Sequence, residues 1–379
     1  MTVQEVRLGP SRDGSPEAHV PWMVRSTKVG GASIGFIIKD QRGIKYILKF
    51  DPPSFPEVET GADIITQRLL WASGFNTPED TIVYFRPEDL VIGPKSLVKL
   101  RHSKERPMTQ SDLEESLVKI HINPDGRIRG LVSRFVSGIP VGGYPYEGLR
   151  GDDVNDRIPH ELRRDVRGQS GFFSWLQHTD LREDNTLDAW SEDPKDPSRH
   201  YLMHYLIDFG KSMGSMGIIE ARKQIGHSHA TDLKHMLLTL PTLGLWKRPW
   251  EDRSRPDVVG VGMIDSKTYS PGTFVTNLPY FPFYDADRFD HFWAAKIFVR
   301  FSPEQIRAVV EEARYTDPRA TEYLAKILVE RLRIAAKYWF ERVNPLDGFR
   351  VDGTQLCMDD LMRKYRLRDE ADGTSSYEA

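Results

Sequence analysis

His178-Thr-Asp-Leu-Arg-Glu-Asp-Asn185 and, further on, His204-Tyr-Leu-Ile-Asp-Phe-Gly-Lys211 are the segments that decide how this chain is read. The first places a carboxylate, Asp180, five residues before an amide, Asn185, just after the large apolar residues Phe172, Phe173, Trp175 and Leu176. The second is an apolar stretch ending in Asp208-Phe-Gly210, with Asp208 23 residues beyond Asn185. Carboxylate and amide oxygens are the donors that a hard cation such as Mg²⁺ prefers. A further carboxylate beside them can take a proton from a reacting hydroxyl. An isolated Asp-Phe-Gly is a common turn, so the weight lies in both segments occurring together and in this order.

Outward from these segments, the chain divides into two halves of different pattern. Ser33 to Lys39 and Ile44 to Phe50 are short β-branched and aromatic runs separated by Asp40-Gln-Arg-Gly43, a hairpin signature. Glu57 to Ser73 carries Ala62, Ile65, Leu69 and Ala72 at helical spacing, and Gly74 stops it. Thr81 to Phe85 and Gly130 to Val136 read as further strands. After Gly138 the pattern becomes mainly helical. One helix is expected over 159–178, and others over 232–240, 286–299, 303–313 and 318–338. Residues 1–20 read as a loose arm, 21–138 as a strand-rich lobe, 139–345 as a helical lobe, and 346–379 as an extension ending in a polar tail. The fold class is therefore α+β, two-lobed, with a cleft between the lobes as the usual place for a ligand.

Composition narrows the partners. The 379 residues hold 52 basic and 55 acidic side chains for a formal net charge of −3, which argues against nucleic acid or an acidic membrane as the main partner. There is no apolar run of the about 20 residues a membrane span needs. The opening Met-Thr-Val-Gln-Glu lacks the basic, then apolar, start of a signal peptide. Cys357 is the single cysteine and has no internal partner, so a reducing cytoplasm is the expected compartment. His227, His229 and His235 match no structural zinc spacing.

The two opening segments resemble the protein-kinase catalytic loop, His-x-Asp-x-x-x-x-Asn, and the Asp-Phe-Gly that follows it. That resemblance implies a protein-kinase-like fold, ATP and Mg²⁺ as cofactors, Asp180 as base, and Asn185 and Asp208 as metal ligands. It also implies a strand lysine paired to a helix carboxylate. Tyr46-Ile-Leu-Lys49 resembles the Val-Ala-Ile-Lys strand; Lys45 and Lys49 share a face, and the spacing to the next helix favours Lys49. Glu57, Glu59 and Asp63 are the candidate partners, with Asp63 favoured. Gly30-Gly31-Ala-Ser-Ile-Gly35 could fold over the phosphates. Phe135 and Val136, after a strand and before the helical half, resemble by position the hinge that grips adenine.

Departures from signalling kinases are equally plain. Asp208 follows Asp180 by 28 positions, with a polar insert over 191–198, and no Ala-Pro-Glu follows. Asp63 to Gly74 is similar to the corresponding helix of HipA-type kinases, and the catalytic loop also resembles theirs, which points toward atypical bacterial kinase-like proteins. The expected activity is ATP- and Mg-dependent phosphotransfer to a protein or small-molecule hydroxyl. The alternatives are a kinase-fold enzyme that transfers adenylate or another group, and a non-catalytic pseudokinase serving as an interaction module.

Overall fold

Alternating apolar residues build a sheet in the first third of the chain. In the computed structural model, residues 1–11, 13–28, 34–99, 104–217, 221–239, 241–243, 245–248 and 250–368 are described, apart from the side chains of 234 and 235. The order begins α1 (Val3–Leu8), β1 (Trp22–Thr27), β2 (Gly35–Lys39), β3 (Lys45–Lys49) and α2 (Val58–Ala72). It continues with β4 (Asp80–Phe85), β5 (Leu90–Lys99), β6 (Glu105–Pro107), α3 (Gln110–Leu117) and β7 (Ile128–Arg134). These strands form one seven-stranded sheet in the order β4-β7-β3-β2-β1-β5-β6. Only β1 and β5 run parallel; the other pairs are antiparallel. Trp22, Val24, Phe36, Ile38, Leu48, Phe50 and Phe85 make a core with Leu113 and Leu117 of α3.

The second half runs β8 (Ile139–Gly142), α4 (Arg164–Arg167), α5 (Gln169–Leu176), β9 (Thr186–Asp193) and β10 (Asp196–Leu206). Then come α6 (Leu233–Thr239), α7 (Phe281–Tyr284), α8 (Arg288–Phe298), α9 (Pro303–Glu311) and α10 (Pro318–Phe340). The hairpin β11 (Leu346–Asp352) and β12 (Gln355–Asp360) and the short α11 (Leu361–Lys364) close the described chain. A second core joins α5, α8, α9 and α10, and α2 contributes Ala62, Ile64, Ile65, Leu69 and Leu70 to it. Thus α2 follows the sheet lysine in sequence yet packs with the helical half. Each fully buried aliphatic or aromatic side chain stabilises this packing by about 1.5–3 kcal/mol.

Four expectations are corrected. The opening residues, expected as a loose arm, carry α1, which has a full capping box at Thr2 and Glu5 and a buried Val6. The single helix expected over 159–178 is broken, because Arg163 takes an extended backbone conformation and a 3₁₀ turn over His160–Leu162 precedes α4. The helical half also contains a three-stranded sheet, β10-β9-β8, and the polar insert over 191–198 forms the tip of its β9–β10 hairpin, ending β9, turning at 194–195 and starting β10. Asp193 and Asp196 shape that turn by accepting from the amides of Lys195 and Ser198 at 2.9 and 3.1 Å. Finally, the extension after 345 begins as a hairpin, and beyond it Leu361, Met362 and Leu367 are buried in the second core. Residues 369–379 lie outside the described chain.

Candidate functional site

β3 ends in Lys49, and a loop over 50–57 turns the chain into α2. Asp51 governs that turn: its carboxylate accepts from the Glu59 and Thr60 amides at 2.8 and 2.9 Å and from the Thr60 hydroxyl at 2.5 Å. An acceptor at the start of a helix satisfies amides that have no intrahelical partner. Buried Arg129 adds a bond to the Thr60 hydroxyl at 3.1 Å and others to the Ala313 and Arg314 carbonyls. So anchored, α2 delivers Asp63 against β3. Lys49 Nζ donates to Asp63 Oδ2 at 3.3 Å and to Asp208 Oδ1 at 2.9 Å. Burial opposes the charge on Lys49, but Asp63 and Asp208 outweigh it and hold the ammonium above its ordinary value. Lys49, with help from its hydrogen bond and from Lys28, draws Asp208 down to about 2.

Asp208 follows β10 in a left-handed conformation, φ 63°, which is sparsely populated by residues other than glycine. Such conformations persist where the surroundings hold them, often at functional sites. Here Ser212 supplies the hold: its hydroxyl reaches Thr66 at 2.6 Å, the Phe209 carbonyl at 2.7 Å and the Ala62 carbonyl at 3.1 Å. Phe209 is buried in the second core. The Asp-Phe-Gly segment is therefore fastened to the helix that carries Asp63.

The loop from His178 to Asn185 leaves α5 through Gln177, which caps the helix in the left-handed region. Its fixed points come from the helical half. Arg331 of α10 donates to the carbonyls of Trp175 and Ser174 at 2.8 and 2.6 Å, capping α5 with a buried cation. The Asn185 amide donates to the Asp180 carbonyl at 2.6 Å, so the amide oxygen remains available as an acceptor. The Ile207 N–H donates to the Asn185 carbonyl at 3.0 Å, joining this loop to the strand that presents Asp208. Lys211 Nζ donates to Asp180 Oδ2 at 2.8 Å, and Arg182 approaches the same oxygen at 3.6 Å. His178 is buried, and burial pushes its imidazole down to about 4, so the ring is neutral at ordinary pH.

These positions compare with the sequence candidates as follows. Lys49, Asp63 and Asp208 converge, and Asn185 and Asp180 share a loop tied to the Asp208 strand. Lys45, the competing lysine, is exposed. Glu57 instead accepts from the Thr316 amide at 3.0 Å. Glu59 is buried over Gly210, where an added Cβ would lie 2.6 Å from its Cγ. Gly30 and Gly31 lie outside the described residues; Gly35 sits in β2 opposite Lys49, with the Leu48 carbonyl 2.5 Å from where a Cβ would be. Phe135 and Val136 follow β7 and line a cavity of about 450 Å³ together with Trp71, Thr77 and Tyr205; its walls include neither Lys49 nor Asp208. Three cations went unnoticed in the sequence. Lys211 and Arg182 face Asp180, and Lys28 faces Lys49 and Asp208, where burial and Lys49 lower its affinity for a proton. Lys28 sits before the glycine-containing loop and Lys211 directly after Asp-Phe-Gly, and those positions were the available signal.

A divalent cation suits this donor set. Asp208 Oδ2 and the Asn185 amide oxygen are oxygen donors of the kind Mg²⁺ takes, and Mg²⁺ commonly completes its shell with water and phosphate. Among the described residues no cluster of three or more His, Cys, Asp or Glu side chains forms an all-protein metal cage.

No protein-family profile and no curated protein matches the chain. Solved structures do. A Helicobacter pylori proinflammatory kinase, CtkA, aligns with TM-score 0.41 and 10% identity over 84% of this chain and 96% of that one. The Rio2 kinase from Chaetomium thermophilum, as an ADP/Mg²⁺-phosphoaspartate complex, aligns with TM-score 0.30 and 15% identity over 84% and 73%. The Golgi casein kinase with Mn/ADP bound gives 0.34 and 12% over 88% and 75%. All three are kinases by name. At such distances the function of the site is read from its own residues.

Proposed function

We propose that this chain is an ATP- and Mg²⁺-dependent phosphotransferase of protein-kinase-like fold, acting on a hydroxyl of a protein or small molecule. The observation that carries the reading is Lys49 held between Asp63 and Asp208, with Asp208 hydrogen-bonded through its strand to the Asn185 loop. Lys49 and Lys28 would bind and orient the phosphates. Asn185 and Asp208 would hold Mg²⁺, which when bound offsets phosphate charge. Asp180 would orient the acceptor hydroxyl and take its proton as the oxygen bonds to the γ-phosphorus and ADP leaves. Lys211 and Arg182 keep that carboxylate aimed and add positive charge where the transferring group carries negative charge. A binding-only module has no need of this whole set, which weighs against the pseudokinase reading.

The HipA-like assignment rests on the helix from Asp63 to Gly74 and on the catalytic loop, and the names of the solved chains above do not include that group. Among the described residues no helix is long and apolar enough to cross a membrane. Incubation with ATP labelled at the γ-phosphate or at the α-phosphate, followed by mass measurement of acceptors and of the chain itself, tests the reading. Transfer of the γ-label with release of ADP supports it, and transfer of the α-label replaces it with adenylyl transfer.

A further inference from the structure

Behind the catalytic loop lies a second cavity, of about 270 Å³, enclosed by the turn after α2, by α4 and α5, and by β9 and β10. Its apolar walls are Phe75, Tyr144, Val166, Leu206 and Trp293. Its charges cancel locally: Arg163 donates to Asp165 at 2.8 Å, and Arg150 donates to buried Asp188 at 2.8 Å, beside the His204 ring. Two polar groups at the wall stand out. Gln169 is 8% exposed, and among the described residues its side-chain amide has no hydrogen-bond partner. The Tyr144 hydroxyl is buried without a partner, on a ring sandwiched against His160 at 4.0 Å. Buried polar groups are satisfied in the great majority of cases, so the buried Tyr144 hydroxyl, beside a cavity-lining Gln169 whose amide has no protein partner, points to a missing occupant.

We propose that this cavity is a regulatory site for a small, neutral, planar molecule bearing a carboxamide or lactam edge. An amide edge pairs its donor and acceptor with those of Gln169, which neither a hydrocarbon nor an ion can do. The aromatic walls favour a flat ring, and the cancelled charges favour a neutral one. The volume lies at the small end of ligand pockets, which suits a single-ring or two-ring compound. The route to the active site is short. Thr186 lines the cavity and directly follows Asn185, and Leu206 lines it two residues before Asp208. Gln169 and Thr186 also line a smaller cavity that includes His178, Asp180 and Asn185. Occupancy would therefore bias the loop and strand that the proposed phosphotransfer uses; this regulatory step rests on that function, whereas the binding step does not.

The probe is nicotinamide, with benzoate as a charged control of similar size, observed by saturation-transfer NMR on the full chain. Saturable nicotinamide binding is expected, weakened about 10-fold or more by Gln169→Leu, with benzoate at least 10-fold weaker. Tyr144→Phe checks folding: the variant keeps or raises Tm, since it removes an unpartnered hydroxyl. Absence of saturable binding to the parent, or equal binding by Gln169→Leu of unchanged Tm, overturns the site. Binding that leaves Mg-ATP affinity and turnover unmoved overturns the regulatory role. A chain that binds nicotinamide through Gln169 but transfers no phosphate keeps the site and refutes the proposed function.

Discussion

Lys49 Nζ lies 2.9 Å from Asp208 Oδ1, joining the sheet to the strand that ends in Asp-Phe-Gly across 159 residues of sequence. Lys49 is almost wholly buried, whereas the Asp208 side chain is 40% exposed, so one carboxylate oxygen is spent on the lysine while the group still faces the cleft. Asp208→Asn removes the charge that pairs with Lys49 and that, under the proposed function, would hold the cation. Isothermal titration of Mg-ATP is expected to show clearly weakened binding, and parent-like affinity would make Asp208 a structural turn residue. Lys49→Met should lower turnover by on the order of 10²-fold, the usual cost of losing one preorganised electrostatic contact.

Ser212 links Asp-Phe-Gly to α2 without facing the cleft. Ser212→Ala leaves the Thr66 hydroxyl and the Ala62 carbonyl short of a partner, at a cost of about 1–3 kcal/mol. Urea unfolding is expected to show a lower midpoint with an unchanged slope. Turnover should fall more than Mg-ATP affinity, because the loss frees the strand from the helix that carries Asp63. A parent-like midpoint and turnover would show that Phe209 packing alone holds the segment.

Arg331 caps α5 from inside the helical core and also donates to the Asp265 carbonyl at 2.9 Å. Burial lowers its proton affinity to about 10, which still leaves it charged at neutral pH. Arg331→Met strands the Trp175 and Asp265 carbonyls and weakens the hold on that of Ser174, and should cost about 2–4 kcal/mol in urea unfolding. A loss below 0.5 kcal/mol would mean that water replaces the guanidinium.

His178 gives the structure an acid-sensitive element. Its folded value of about 4 lies below the ordinary value of 6.5, because burial disfavours the charged ring. The unfolded chain therefore binds the proton first. The stabilisation is fully present above pH 6.5 and is lost progressively as pH falls from there through about 4. It amounts to about 3 kcal/mol at most for this separation. His178→Phe should flatten the stability–pH curve between pH 6.5 and 4; an unchanged slope would assign that acid limb to other groups.

Much of this site was legible because its residues carry their pattern locally. Asp180, Asn185 and Asp208 sit in two short segments, and Lys49 and Asp63 were placed by a strand followed by a helix. What stayed hidden depended on tertiary contacts. The helix expected over 159–178 breaks where the Arg163 guanidinium lies 5.7 Å over the Tyr144 ring, a pairing no periodicity reveals. The β9–β10 hairpin is rich in polar residues and partly buried without regular alternation, so it lacks the pattern that marks a half-buried strand. The anchoring roles of Asp51, Arg129 and Arg331 are fixed by partners far away in sequence, and Lys211 and Lys28 gain meaning only once the cleft is assembled.

Asp180 decides between an enzyme and a binding module. The most direct measurement is the pair of Mg-ATP affinity and single-turnover transfer rate for the parent and for Asp180→Ala. A proton acceptor aimed by Lys211, and separate from the metal ligands, predicts transfer slowed by about 10²- to 10⁴-fold with ATP affinity nearly intact. Lost ATP affinity with little change in rate would contradict the account, because it would make Asp180 a ligand of the metal rather than the base.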